Sequence, residues 1–305
     1  MPGRENRMTG DIVFDSMRFR PARKSISYLM NRYHVGKMLG GDLHVSAHEL
    51  AFLASKEKIL LDEGEFKLIS TILSGIPYFF QTFAAYFYAK SHGMIASVQG
   101  TTMIVRRNAR SKPVTIYITG DMGELHTDFI IEPGNSLHAV IDMDGDMTLF
   151  EVSSFNPEGK FIFGKYMDSS ERMQYGHGGS LQDQGYSKGA IRFLPDEENG
   201  MAGESERSMQ RIHLYGDLKG RGILPKSGFK YGADFRGYTG PESTHAEYLI
   251  SSLHENESWS EISRLVRVSN GVRKTCVFCL MKYGKIHYIK IRWIKDFAEI
   301  IDDQI

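Results

Sequence analysis

Three residue types that can move protons without a metal occur in the last third of this 305-residue chain. Tyr238 and His245 lie in the stretch Gly228–His245, which also carries Gly232, Gly237, Gly240 and Pro241. Lys274 closes the downstream patch Gly271-Val272-Arg273-Lys274. A phenol, an imidazole and an ammonium, each beside a turn signal, suffice for acid–base chemistry: one group takes a proton, one gives a proton, and one steadies negative charge. Each also has a plain structural reading. Tyr238 reads as a loop aromatic, although the glycines and Pro241 around it indicate an exposed, shaped loop. His245 reads as the cap of a helix begun by Ala246-Glu-Tyr-Leu. Lys274 reads as one cation among many.

These residues need elements to hold them. Ser46 and Glu49 have the spacing of a capping box, so a helix is expected from Ser46 toward Leu53, with His48 as a surface residue in its first turn. Ser27–Lys37 is amphipathic, with Tyr28, Leu29 and Tyr33 at helical spacing, and Met8–Phe19 is expected to include a first strand. Pro77 suits the opening of a helix that ends at Gly93. Short strands are expected at Met94–Val98, Thr102–Arg106, Val114–Ile118 and Asp128–Ile131. Leu137–Asp142 and Met147–Val152 flank an acidic turn and read as a hairpin. Residues 153–208 are the least regular third; they hold Gly176, Gly178, Gly179, the acidic run Asp196-Glu197-Glu198 and a short candidate strand at Lys160–Phe163. Order returns with a helix from Arg207 to Arg221, ended by Gly222.

Self-similarity organises the chain further. Tyr86, Lys90 and Gly93 recur as Tyr215, Lys219 and Gly222 at one constant offset. Near the ends of the two halves, Gly145 and its flanking strands recur around Gly284 at a longer offset. The chain therefore reads as α+β, two tandem copies of a helix-plus-mixed-sheet unit. The second copy carries extra residues between Gly222 and Cys279, the interval that contains Tyr238, His245 and Lys274. The copies differ in charge. Residues 264–295 hold nine Lys or Arg and no Asp or Glu, whereas 125–156 hold six Asp or Glu and no Lys or Arg. The zero net charge of the whole is partly a cancellation. The basic strip, with Tyr283, Tyr288 and Trp293 interleaved, reads as a phosphate-and-base surface; a solvated charged face is the alternative.

Several classes are disfavoured. The two cysteines, Cys276 and Cys279, form a Cys-x-x-Cys within an apolar run. No second pair completes a zinc site, so they read as core residues of a buried strand. Asp142-Met-Asp144-Gly145-Asp146 lacks the further ligands and flanking helices of an EF-hand, so a hairpin turn is preferred to a calcium loop. The N-terminus leads into no apolar signal region, and the aromatic run Ile76–Ala89 is shorter than the ~20 residues a membrane helix needs. A cytoplasmic protein with no membrane partner, no cofactor and no metal is expected.

The pieces Gly228-Phe-Lys-Tyr-Gly-Ala-Asp-Phe-Arg-Gly-Tyr238, His245-Ala-Glu-Tyr-Leu and Val272-Arg-Lys274, in this order, resemble the archaeal tRNA-splicing endonucleases. Tyr215–Gly222 and Ile291-Arg292-Trp293 extend the likeness, and Tyr28-Leu-Met-Asn-Arg-Tyr33 and His48-Glu-Leu-Ala-Phe-Leu carry a weaker trace of it. The resemblance implies the tandem form of the family, in which only the second unit is catalytic and two chains pair as a homodimer. Its implied organisation is an N-terminal subdomain at 1–80, a non-catalytic endonuclease-like domain at 81–155, a linker or degraded small domain at 156–208 and a catalytic domain at 209–305. It implies metal-independent cleavage of precursor tRNA at a bulge–helix–bulge, leaving 2′,3′-cyclic phosphate and 5′-hydroxyl ends. Tyr238 would be the base, His245 the acid and Lys274 the cation facing the transition state. Arg267 and Arg292 would clamp a bulged base. Asp142, Asp144 and Asp146 would dock against the partner chain. A non-catalytic RNA-binding or scaffold subunit and a metal-dependent nuclease are the competing readings.

Overall fold

The computed structural model describes residues 10–13, 18–21, 27–40, 42–59, 63–125, 135–162, 186–188, 191–193, 206–254, 257–295 and 299. They form a mixed α+β fold that divides into two compact units, Met1–Asp121 with Leu137–Leu149 and Ile294–Ile305, and Met122–Ser136 with Phe150–Trp293. The expected strand at Asp128–Ile131, the glycines at 176, 178 and 179, and the acidic run 196–198 lie outside the described residues.

In the first unit, β1 (Gly10–Val13), β2 (Arg18–Pro21), β3 (Lys37–Leu39) and β4 (Asp42–His44) make an antiparallel sheet in the order β1-β2-β4-β3. The helix expected over Ser27–Lys37 is shorter: a π-helical turn, Leu29–Tyr33, ends where His34 takes a left-handed φ of 49°. Helix α1 (Ala47–Ser55) starts at the predicted capping box, with Glu49 N donating to Ser46 Oγ and Ser46 N to Glu49 Oε2. Its Leu50 and Leu53 bury against Leu29, Leu43 and Val45. His48 is not a surface residue. It is half-buried, its Nε2 is 2.8 Å from Thr82 Oγ1, and its ring lies 5.0 Å from that of Phe79.

Helix α2 (Glu63–Ser74) precedes α3 (Phe79–Ser91). Pro77 does not open α3, because Tyr78 adopts a left-handed φ of 57° that cannot continue a right-handed helix into it. Gly93, at φ +75°, ends α3 as expected. Ala85, Tyr86 and Ala89 of α3 pack on Met103, Val105, Ile116 and Ala139. These belong to β6 (Thr102–Arg106), β7 (Val114–Gly120) and β8 (Asn135–Ile141), with β5 (Ile95–Gln99) at the edge. Pairings β5–β6 and β6–β7 are antiparallel and β7–β8 is parallel. After β8 the chain turns at Asp142–Asp146 into β9 (Met147–Phe155).

The second unit contains the short antiparallel pair β10 (Tyr186–Lys188) and β11 (Ile191–Phe193). It continues with α4 (Glu206–Gly220), β12 (Leu224–Ser227), β13 (Phe235–Tyr238), β14 (Tyr248–Ser252), α5 (Trp259–Gly271), β15 (Thr275–Lys282) and β16 (Lys285–Ile294). Pairings β12–β13 and β13–β14 are antiparallel, β14–β15 parallel and β15–β16 antiparallel. The order of pairings from α4 to β15 thus matches that from α3 to β8. Leu214, Tyr215 and Leu218 of α4 pack on Phe235, Ile250, Val277 and Cys279.

Parallel strands require a crossover, and α5 supplies it between β14 and β15. Ser258 and Glu261 form its capping box, and it buries Trp259, Ile262, Leu265, Val266 and Ser269. Cys276 and Cys279 are buried, unpaired residues of β15, as expected. The strand expected at Lys160–Phe163 does not form over its described residues; 156–162 run beside β12 and β13 through hydrogen bonds to Arg221, Thr239 and Gly222. Among the described residues no single helix is long and apolar enough to cross a membrane.

Candidate active site

Strands β13, β14 and β15 reach one common line. Gly237 pairs with Tyr248, and Tyr248 with Thr275. Tyr238 is the residue just past that line on β13, and Lys274 the residue just before it on β15. His245 lies in the connection that carries the chain from β13 to β14. Tyr238 and His245, from one stretch, and Lys274, from beyond α5, are therefore placed at one end of three adjacent strands.

Each is fixed locally. The Lys274 side chain is half-buried and its Nζ donates to the carbonyl of Ala246, next to His245. Its backbone N donates to Ser269 O at 2.9 Å, and the preceding Arg273 adopts a left-handed φ of 55° that turns the chain from α5 into β15. His245 is exposed while Ala246 is buried. Ala246-Glu-Tyr-Leu does not begin a helix: Glu247 N donates to Gly237 O, Thr275 N to Glu247 O, and β14 starts at Tyr248, so the sheet takes the backbone groups a helix would need. Tyr238 is the last residue of a strand rather than a loop aromatic; it is half-buried, with Lys226 Nζ 5.2 Å from its ring centroid.

The loop between Tyr238 and His245 is tied down by a residue that the sequence did not single out. Glu247 accepts from Thr239 N at 3.0 Å and from Ser243 Oγ at 2.7 Å. Burial would raise its carboxyl, but the hydrogen bonds from Ser243 and Thr239 hold it below the usual carboxylate range. On the outer side Lys160 N donates to Thr239 O at 2.6 Å. That approach depends on Gly159, where a Cβ would lie 2.0 Å from the carbonyl oxygen of Gly222.

Side chains alternate across a strand. Arg236 pairs with Lys226, and Tyr238 is two residues further on, so all three share the face opposite Phe235, which packs on α4. Cations therefore border the tyrosine. Nearby, Tyr231 has its phenol lowered by a hydrogen bond with Lys230, with smaller contributions from Lys274 and Arg236.

The two arginines are placed differently. Arg267 is exposed on α5, about two turns before Lys274. Arg292 lies two residues beyond Lys290, the partner of Val277, and its Nε is 2.8 Å from Glu151 Oε2. Glu151 also accepts from Asn135 Nδ2 at 3.0 Å. The basic strip is not one continuous aromatic surface. Tyr288 is buried, donates from its hydroxyl to Asp217 Oδ2 at 2.5 Å, and has the Arg221 guanidinium 4.7 Å from its ring centroid. Strand alternation sends its neighbours to the other face.

In the first unit the acidic turn is a hairpin tip in which the carboxylates are not equivalent. Asp142 Oδ1 accepts from Asp144 N at 3.0 Å and Asp146 N at 2.9 Å, and Gly145 takes φ +85°. Asp144 and Asp146 are exposed, as is Met143 at 86%. Among the described residues no group of three His, Cys, Asp or Glu is arranged to hold a metal ion.

Comparison with known proteins identifies the family. The family model described as "tRNA intron endonuclease, catalytic C-terminal domain" matches residues 209–288. A tRNA-splicing endonuclease of Thermoplasma volcanium is 28% identical over 283 residues, covering 89% of this chain and 93% of that protein. One from Methanothermobacter thermautotrophicus is 32% identical over 151 residues, covering 45% of this chain and 85% of that protein. One from Sulfurisphaera tokodaii reaches 44% identity over 87 residues, 27% of this chain and 48% of that protein. With the matched catalytic domain spanning α4 to β16 and its relatives extending over most of the sequence, this chain belongs to the tRNA-splicing endonuclease family.

Proposed function

We propose that the protein excises introns from precursor tRNA, cutting both strands of a bulge–helix–bulge without a metal and leaving 2′,3′-cyclic phosphate and 5′-hydroxyl ends. The observation that carries this reading is the convergence of Tyr238, His245 and Lys274 at one end of β13, β14 and β15. In the reaction, the O2′ of the RNA attacks the adjacent phosphorus. Tyr238, acting as its phenolate, takes the O2′ proton, the P–O2′ bond forms as P–O5′ breaks, and the His245 imidazolium gives its proton to O5′. The Lys274 ammonium faces the phosphorane-like transition state. Its bond to the Ala246 carbonyl leaves two N–H groups for phosphate oxygens and holds them beside His245.

The matching order of strand pairings in the two units supports a tandem origin, with the second unit catalytic. Most of the extra length of the second unit lies in the crossover, residues 253–274 against 121–134, and in the β12–β13 connection, residues 228–234 against 100–101. The crossover ends at Lys274, and the β12–β13 connection closes the other end of the strand that carries Tyr238. The exposed Asp144 and Asp146 support a homodimer in which the tip of one chain docks on a basic concavity of the other. A cleft of about 950 Å³ in the second unit is lined by His213, Lys285 and Arg221, the last paired with Asp217, so Lys285 and His213 are the groups that would meet the tip. Arg267 and Arg292 are the proposed base clamp.

The test is incubation of the pure protein with a bulge–helix–bulge RNA in EDTA, with analysis of the product ends. Cyclic-phosphate ends, lost in Lys274→Ala while RNA binding persists, are expected. Binding without cutting would instead assign a scaffold role, and cutting abolished by EDTA a metal nuclease.

A further inference from the structure

The connection from β12 to β13 is a built platform. A 3₁₀ turn, Phe229–Tyr231, is closed by Tyr231 N to Gly228 O at 2.8 Å and Gly232 N to Phe229 O at 3.1 Å. Gly228 N returns to Asp234 O at 3.1 Å, and a Cβ on Gly228 would lie 2.6 Å from Ala233 O. Gly232 takes φ +69°. The base is anchored by buried Asp234, which accepts from Arg211 Nη1 at 2.7 Å and from Ser252 N at 2.8 Å. On this braced turn Phe229 is 89% exposed. Its ring contributes little packing, so the fold itself gives no reason for a large aromatic there.

The chemistry of the neighbourhood identifies what the ring meets. Lys230 Nζ lies 4.8 Å from the Tyr231 ring centroid, and Lys226 Nζ 5.2 Å from that of Tyr238. Arg236 Nε donates to Ser227 O at 2.8 Å, holding a guanidinium across the foot of the turn. The turn closes the end of β12 and β13 opposite Tyr238, and its Tyr231 phenol is lowered by Lys230 first, with smaller contributions from Lys274 and Arg236. The carboxylate of the turn, Asp234, is buried and paired with Arg211. An outward aromatic among cations, on the strand pair that carries Tyr238 at its other end, has the composition of a base-stacking surface for unpaired nucleic acid.

We infer that Phe229 stacks on an unpaired base of the bound RNA at the far end of β13 from Tyr238 and so positions the strand that reaches the site. This rests on the proposed RNA-cleavage reading. Phe229 is a positioning residue that contacts RNA without moving protons.

The experiment compares wild type, Phe229→Ala and Phe229→Trp on a bulge–helix–bulge RNA carrying 2-aminopurine at the bulge, with single-turnover cleavage, fluorescence, thermal melting and light scattering read together. Phe229→Ala is expected to melt like wild type and to lose about 5- to 100-fold in cleavage efficiency, the range of one lost base–aromatic stack. Quenching of 2-aminopurine on binding is lost with it. Phe229→Trp is expected to restore both, and the salt slope of binding to stay unchanged, because no phosphate contact is removed. An active wild type with Phe229→Ala equally fast and equally quenched overturns the inference alone. A Phe229→Ala protein that turns monomeric assigns the ring to a protein interface instead. A wild type that neither binds nor cuts the RNA overturns the functional reading and the inference with it.

Discussion

The Nζ of Lys274 donates to the backbone carbonyl of Ala246, so a cation at the start of β15 is tethered to the residue that follows His245. The parallel pairing of Tyr248 with Thr275 sets this relationship, since it fixes where β15 begins beside β14. Lys274→Met keeps the stem and removes the charge. A loss of about 100- to 1,000-fold in single-turnover cleavage is expected, against about 1 kcal/mol of stability for the missing hydrogen bond. Equal losses in denaturant stability and rate, with activity proportional to folded fraction, would count against a catalytic lysine.

The acidic tip separates into a structural and a free part. Asp142→Ala removes the acceptor of two backbone N–H groups, at a cost of about 1 kcal/mol per lost bond. Asp144→Asn with Asp146→Asn removes only exposed charge. If the tip docks a second chain, the double variant shifts light scattering from dimer to monomer at micromolar concentration while its far-UV spectrum is unchanged. A double variant that stays dimeric and active would remove the docking proposal.

Arg292 is held by Glu151 in a partly exposed pair, with 43% and 17% of the side chains accessible. Such a pair contributes roughly 0–1 kcal/mol to stability. Glu151→Ala is expected to leave melting nearly unchanged yet lower cleavage several-fold, by releasing the guanidinium from the orientation a base clamp needs. A double-mutant cycle with Arg292→Ala checks this: additive rate losses would mean that Glu151 does not act through Arg292.

Alkaline pH should weaken the fold. Burial pushes the Cys276 thiol up to about 12, and raises Tyr288, further raised by Cys279 and its bond to Asp217. A buried acid with a raised pKa stabilises the protein fully below its unfolded value, and that contribution is lost as pH rises toward the folded value. For Cys276 the window is 9.0 to about 12. Lys90 opposes this: burial lowers it to about 8 from 10.5, so its unfavourable buried charge is relieved across that interval. Melting temperatures from pH 8 to 11 are expected to fall overall, less steeply in Cys276→Ala. A slope identical to wild type would show that the thiol does not contribute.

Local signals were readable where short-range chemistry decides the structure. The capping box at Ser46 and Glu49, the stops at Gly93 and Gly222, and the hairpin around Gly145 depend on a few adjacent residues, and all occur in the structure. The α5 helix carries the same kind of signal in Ser258 and Glu261, with Trp259, Ile262, Leu265 and Val266 at helical spacing, masked by the basic residues around them. Ala246-Glu-Tyr-Leu has helical composition but is claimed by β13 and β15, a choice made by partners distant in sequence. His48 looked solvated because its partner Thr82 comes from another helix. Of the proposed site, the residue types were legible, while Tyr238 ends a strand rather than sitting in a loop. Their meeting depends on a parallel register, which no local pattern encodes, and neither the Ala246 carbonyl nor Glu247 has a type that announces its role.

The crossover through α5 has a consequence for synthesis. Tyr238 and His245 emerge from the ribosome before the helix, and Lys274 only after it. A chain released as far as Ser252 has the phenol and the imidazole but no ammonium, and its β14 has no parallel neighbour. Domains fold as units during translation, so this one gains its cation only as its final hairpin docks. If Lys274 is the transition-state cation proposed above, a nascent chain that ends before it lacks one member of the site and does not cut RNA.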